Sequence, residues 1–245
     1  MAGQPKQAAA ACSMTDKATP PSIAHVHNGK LASASRKLSR YDMCIGGAPA
    51  HRRAASRGDR QMRELRWASE EGDGIEHLAF DSHEDGFVAE SVVVGQRYGK
   101  PYGLHYKVRC DAQWRTRYAW LKIVGGGELE LHGDGDGHWR DGHGLVLSAI
   151  EGCIDIDIAA TPFTNTLPIR RLQLAEGERR PISVAYISTP DLQITRAGQA
   201  YSCIALHREY RYEGIFRDFT ADLKVDEDGL VIDYPTLFTR LPREH

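Results

Sequence analysis

Long apolar runs are missing from this chain of 245 residues. No stretch approaches the roughly 18 uncharged apolar residues that a membrane-spanning helix requires, so the sequence predicts no transmembrane segment. Cysteine is scarce. Cys12, Cys44, Cys110, Cys153 and Cys203 are scattered, odd in number and never in C-x-x-C spacing. That argues for small buried thiols in a reducing compartment, and against a disulfide framework or a zinc site. A secretion signal is missing too, because no apolar run of about seven residues lies near the start. The expected location is the cytoplasm. There is no G-x-S-x-G, no P-loop and no dinucleotide fingerprint after a strand, which removes the common α/β enzyme classes. No segment of about twelve residues holds a 3.6-residue period, so little helix is expected.

The charge is unevenly spread. The formal net charge is −2. Residues 1–61 hold ten Lys and Arg against three Asp and no Glu, leaving 21 basic and 30 acidic residues in 62–245. An acidic body argues against nucleic-acid binding, which relies on a basic surface. Residues 1–61 also mix Ala-rich, Ser-rich and Arg-rich patches with one aromatic residue, Tyr41. Such a segment buries too little apolar area to offset ordering entropy. It reads as a disordered tail or a non-native N-terminal extension, with residues 62–245 forming a single β domain.

From residue 62 onward the chain reads as strand after strand. Tyr102, Leu104, Tyr106, Val108 and Cys110 alternate with Gly103, His105, Lys107 and Arg109. Leu129 and Leu131 alternate with Glu128, Glu130 and His132, and Phe219, Ala221, Leu223 and Val225 with Thr220, Asp222 and Lys224. This is the period-two signature of half-buried strands. Turn chemistry separates them at Gly125–Gly127, Asp134–Gly137, Asp141-Gly142, Glu176-Gly177 and Asp228-Gly229. Strands joined by short turns pair antiparallel. The fold class expected is mainly β: antiparallel meanders forming a strongly curved sheet or incomplete barrel. Two aromatic-basic segments, 114–137 and 210–229, each precede a two-faced strand ending in an acidic Gly turn. They suggest either a duplicated meander or recurring hairpin chemistry.

One stretch concentrates directed polar groups. In Cys153–Leu172, Ile154, Ile156 and Ile158 share one strand face, and Cys153, Asp155 and Asp157 the other. A Thr161–Pro168 loop comes next, carrying Thr164 and Asn165, with a turn or two of helix expected near Thr164–Arg171. Then come Arg170 and Arg171. Two aspartates two residues apart on a strand have Cα atoms about 6.6 Å apart, and paired carboxylates at roughly 5–9.5 Å are what glycoside hydrolases use. The alternatives are that both face water, or that one pairs with Arg170 or Arg171. His132, His138 and His143 with Asp134, Asp136 and Asp141 invite a metal reading, but the segment lacks a calcium loop's third Asp, sixth-position Gly and twelfth-position Glu. A wide hairpin is favoured, with no metal and no cofactor. Aromatic residues next to arginines, notably Trp120 beside Arg117 and Tyr201, Tyr210 and Tyr212 near Arg208 and Arg211, suit either a core or a pocket for an amphipathic ligand.

Taken together, Glu151–Ile158, Thr161–Leu172, Val184–Ile187, Gln199–Tyr201, Tyr210–Tyr212 and Asp228–Pro235 resemble the bacterial family described as "putative glycolipid-binding", over residues 62–241. The resemblance implies a bent antiparallel sheet with some likeness to bacterial lipoprotein-carrier folds, and brings no catalytic residues with it. The expected partner is an amphipathic small molecule or glycolipid, bound without catalysis by Asp155, Asp157, Thr164, Asn165, Arg170, Arg171, Arg117, Trp120, Tyr201, Tyr210 and Tyr212. The competing reading is a hydrolase or isomerase acting on a sugar-like substrate through Asp155 and Asp157.

Overall fold

The computed structural model describes residues 61–215 and 217–242. Residues 1–60 lie outside the described residues, so the expectation for the N-terminal segment falls there; Gln61 already belongs to the first strand.

Seven strands come first: β1 (Gln61–Ser69), β2 (Ile75–His83), β3 (Gly86–Arg97), β4 (Lys100–Asp111), β5 (Thr116–Ile123), β6 (Glu128–Gly133) and β7 (Trp139–Asp141). Then come β8 (Asp155–Ile158), a 3₁₀ turn at Phe163–Asn165 and a short helix α1 (Thr166–Leu172). The remaining strands are β9 (Arg179–Ile187), β10 (Ile194–Ala205), β11 (Glu209–Gly214), β12 (Phe219–Val225), β13 (Val231–Tyr234) and β14 (Phe238–Arg240). All fourteen form one sheet in the order β7-β6-β5-β4-β3-β2-β1-β14-β13-β12-β11-β10-β9-β8. The sheet is strongly curved and not closed. The chain thus meanders from β1 out to β7, starts again at the opposite edge with β8, and meanders back until β14 pairs with β1, Trp67 opposite Arg240.

Sequence alternation sets which face is inside. In β4, Leu104, Tyr106, Val108 and Cys110 are buried, and in β12 Ala221, Leu223 and Val225 are. Short turns make the pairs antiparallel, with one exception. β8 runs parallel to β9, Asp155 opposite Val184 and Ile158 opposite Ile187. The intervening segment, with its 3₁₀ turn and α1, supplies the crossover that parallel pairing demands. The two similar aromatic-basic segments fall on β5–β6 and β11–β12. These are the fifth and sixth strands of the first half but the fourth and fifth of the second, so recurring hairpin chemistry explains them better than duplication.

The crossover segment fills the curve of the sheet. Phe163 and Leu167 are fully buried in the larger core with Trp67, Leu78, Phe80 and Ile156, while Ile169 joins a second core with Tyr201, Tyr210, Tyr212 and Leu223. The Phe163 ring meets Phe80 at 6.2 Å and Phe87 at 6.3 Å, the latter edge to face. Pro168 is tolerated because it lies in the first turn of α1, where its missing N–H has no intrahelical partner to lose. Gln173, with φ of +48°, ends the helix.

The His132–His143 stretch is a pair of turns, as the wide-hairpin reading expects. Asp134 Oδ1 accepts from the backbone N–H of Asp136 and His138, at 2.7 and 3.1 Å. Asp141 does the same for His143 and Leu145. Gly137 has φ of +101°, and a Cβ there would lie 2.7 Å from the Cα of Gly152. Only glycine permits that approach, which ties the turn to the strand-free stretch leading into β8.

Candidate functional site

A cavity of about 650 Å³ opens beside the crossover segment. Ala159, Ala160, Thr161 and Asn165 form one wall. Aromatic rings from distant strands form much of the rest: Trp67 of β1, Tyr102 of β4, Tyr186 of β9, Tyr212 of β11 and Tyr234 of β13. Its size falls within the roughly 300–1,000 Å³ of ordinary small-molecule sites.

Four carboxyl residues line it: Glu71 and Asp73 are exposed, Asp157 is partly buried and Glu76 is buried. Asp157 is held from two sides. Gln199 Nε2 donates to its Oδ2 at 2.6 Å, and Thr164 Oγ1 to its Oδ1 at 3.3 Å. Burial pushes its pKa up against these hydrogen bonds. Gln199 also donates to the Tyr212 hydroxyl at 3.2 Å, and the Tyr201 hydroxyl donates to Asn165 Oδ1 at 2.9 Å. Thr164, Asn165 and Tyr201 therefore brace the wall, and Asn165 faces the cavity itself.

Glu76 is buried on the inner face of β2, in register with Leu78 and Phe80. Its Oε1 accepts from Ser91 Oγ at 2.7 Å and from the Tyr106 hydroxyl at 2.6 Å. Its Oε2 is buried with no partner among the described residues. Burial raises its pKa to about 7, outweighing the hydrogen bonds from Tyr106, Ser91 and Thr161. Tyr106 also approaches the Thr161 hydroxyl at 3.3 Å, which links Glu76 to the crossover wall.

Two arginines stand at the cavity. Arg97 donates to the Ala159 carbonyl at 3.0 Å, and its guanidinium lies 5.5 Å from the Tyr98 ring centroid. Arg217 donates to the Tyr186 hydroxyl and lies 4.6 Å from that ring's centroid.

Of the residues expected from sequence, Asp157, Asn165 and Tyr212 line the cavity, with Thr164 and Tyr201 directly behind them. The others are elsewhere. Asp155 is fully buried and held by Arg171, Nε at 2.9 Å to Oδ1 and Nη2 at 2.6 Å to Oδ2. Burial drives the Asp155 carboxyl up and Arg171 pulls it back. This is the pairing alternative that the sequence leaves open, and it comes about because the 3₁₀ turn and α1 fold over the acidic face of β8. Asp155 is therefore shut off from water, while Asp157 is partly exposed in the cavity. Arg170 lies 5.0 Å from the Trp114 ring centroid. Arg117 donates to the Gly133 carbonyl and pairs with Asp111 on the exterior. Trp120 points outward, donating to Glu128 at 2.8 Å, because Ala119 and Leu121 take the inward positions. Tyr210 packs in the second core.

Sequence reasoning missed Glu76, Arg97, Tyr186 and Arg217 as cavity residues. Glu76 carries a readable signal: it occupies the apolar phase of an alternating strand. Tyr186 falls on an inward strand face, and the alternation alone gives it no further role. Arg217 lies in a turn, where no pattern marks it. Among the described residues no group of three or more His, Cys, Asp or Glu side chains could hold a metal ion.

The family described as "Putative glycolipid-binding" matches residues 64–240. The chain belongs to this family. A crystal structure of a DUF1089 family protein from Pseudomonas aeruginosa is 46% identical in sequence, covers 69% of this chain and 92% of its own, and superposes with a TM-score of 0.63. No curated protein matches.

Proposed function

We propose that the cavity binds the polar head of an amphipathic ligand, a glycolipid or lipid-linked carbohydrate, without transforming it. The observation that carries this reading is the composition of the walls. Aromatic faces from five strands surround Asp157, Glu76 and Asn165, each fixed by neighbours. Flat rings cover the C–H faces of a sugar, while Asp157, Asn165 and Glu76 meet its hydroxyls. The family's description points the same way. The hydrolytic alternative rests on Asp155 and Asp157 acting together, and Asp155 is instead engaged by Arg171 away from the cavity.

Calorimetric titration with n-octyl β-D-glucoside below its micellar concentration tests the reading. Wild type should bind, and Asp157→Ala or Tyr186→Ala should weaken binding at least tenfold with the fold intact by circular dichroism. Wild type failing to bind this glucoside and a panel of alkyl maltosides and galactosides would defeat it.

A further inference from the structure

The cavity volume sets a limit on what can enter. At about 30 Å³ per non-hydrogen atom, taking a water's share of liquid volume as the unit, 650 Å³ holds roughly twenty. A sugar ring and a short apolar stem fit. Two ordinary acyl chains alone exceed it. A diacyl glycolipid bound by its head must therefore leave its chains outside the mouth.

Exposed apolar residues stand at the mouth beside the exposed carboxylates of Glu71 and Asp73. Ile75, Tyr98 and Leu237 line the cavity and are also exposed, Tyr98 to 87%. From Ile75 the apolar surface runs on across the outside of the sheet. Ile75 is opposite Val94 in the β2–β3 register, and Val94 is 56% exposed. Val92, two residues along the same face, is exposed as well. Val94 is in turn opposite Gly103 of β4. Gly103 has no side chain, and Val124 occupies that space, its Cγ2 3.2 Å from where a Cβ would be. Val124 is 77% exposed.

Outward positions on a one-sided antiparallel sheet are normally polar. Here an apolar strip starts at Ile75, at the entrance, crosses β2 and β3, and passes over Gly103 of β4 to Val124. Contiguous patches of this kind mark interaction sites.

Charge narrows the choice of partner. The charged groups flanking the strip neutralise one another. Glu90 meets Lys107 at 2.7 Å and His105 at 2.9 Å, and Lys122 meets Glu128 at 3.3 Å. Among the described residues these pairs, with Glu71 and Asp73 beside Ile75, leave no surplus of basic side chains at the strip to draw it to an anionic surface. We propose that the strip formed by Ile75, Val92, Val94, Tyr98, Val124 and Leu237 docks on the surface of a lipid bilayer by apolar contact, presenting the mouth to a glycolipid whose chains stay in the membrane. Tyr98 suits that position, since tyrosine concentrates at membrane–water interfaces. This inference rests on the cavity reading, and its test separates the two.

The experiment is co-sedimentation with neutral phosphatidylcholine vesicles, with and without a monoglucosyl diacylglycerol. The variant is Val92→Thr/Val94→Thr/Val124→Thr, in which none of the changed residues lines the cavity and threonine keeps the β-branched shape. Wild type should pellet with the vesicles. The triple variant, melting as wild type does, should lose at least tenfold in partition while binding octyl glucoside as before. Should the triple variant fail to fold, Val94→Thr alone should show a partial loss. Equal partition of variant and wild type overturns the proposal, as does wild type remaining in the supernatant. Partition only onto vesicles containing phosphatidylglycerol, unaffected by the valine changes, overturns it too. Absence of octyl glucoside binding defeats the cavity reading and is scored apart from the vesicle result.

Discussion

Glu76 is the residue whose chemistry most departs from its type. An unfolded glutamate titrates near 4.5, and in the folded chain the value is about 7. The folded state thus holds its proton where the unfolded state has lost it. Stability from this group is fully present below about pH 4.5 and is lost as pH rises through about 7. At roughly 1.4 kcal/mol per pH unit, the whole swing is about 3 kcal/mol for a group this buried. Glu76→Gln removes it, since the amide oxygen still accepts from Ser91 and Tyr106 and no charge forms. The variant should match wild type in thermal melting near pH 5 and exceed it near pH 8. A constant gap across that range would show that the carboxyl is not titrating. The sequence could have revealed this residue, because a glutamate in phase with Leu78 and Phe80 is anomalous. Trp120 teaches the converse. Aromatic and basic neighbours suggest a pocket there, yet the alternation of Ala119, Leu121 and Ile123 already assigns Trp120 to the outside.

At the scale of elements, the crossover between β8 and β9 turns a sheet face into a binding wall. Arg171 is the clasp between α1 and β8, through a bidentate pair with an aspartate that has no exposure to solvent. Removing one partner leaves a bare buried charge, which typically costs about 3–5 kcal/mol. Arg171→Leu should therefore lower the denaturant midpoint sharply, and adding Asp155→Leu should restore much of the loss. Equal destabilisation in the single and double variants would mean that the packing of α1, and not the charge, holds the clasp. Adjacent arginines after a proline loop were legible as a dense polar unit. Which arginine turns inward was not, because a helical turn places Arg170 and Arg171 about 100° apart instead of on opposite sides.

For the whole molecule, local alternation determined strands and faces, but it carries no mark of how distant strands meet. Nothing local announces that β1 pairs with β14, or that the sheet breaks between β7 and β8. The break lies at a sequence-adjacent connection, whereas the join brings the domain's two ends together: Leu241 N–H donates to the Arg66 carbonyl at 2.8 Å. Gln61 lies five residues up the same strand, about 17 Å at 3.4 Å per residue. A circular permutant joining Pro242 to Gln61 by about seven flexible residues, and opened at exposed Gly144, should keep the sheet order and melt within a few degrees of the parent. Failure to fold would mean that the β7–β8 connection, with its buried Ile150 and Cys153, must be continuous.

The β1–β14 join also bears on how the protein is made. β1 is synthesised early and acquires its second neighbour only when the last strand has emerged. Until then Trp67–Ser69 of β1 present unpaired backbone donors and acceptors on that side, the kind of edge that invites pairing with other chains. Translation that stops after β13 leaves that edge permanently open. The three residues Phe238–Arg240 therefore do a task out of proportion to their length: they distinguish a finished molecule from an adhesive one.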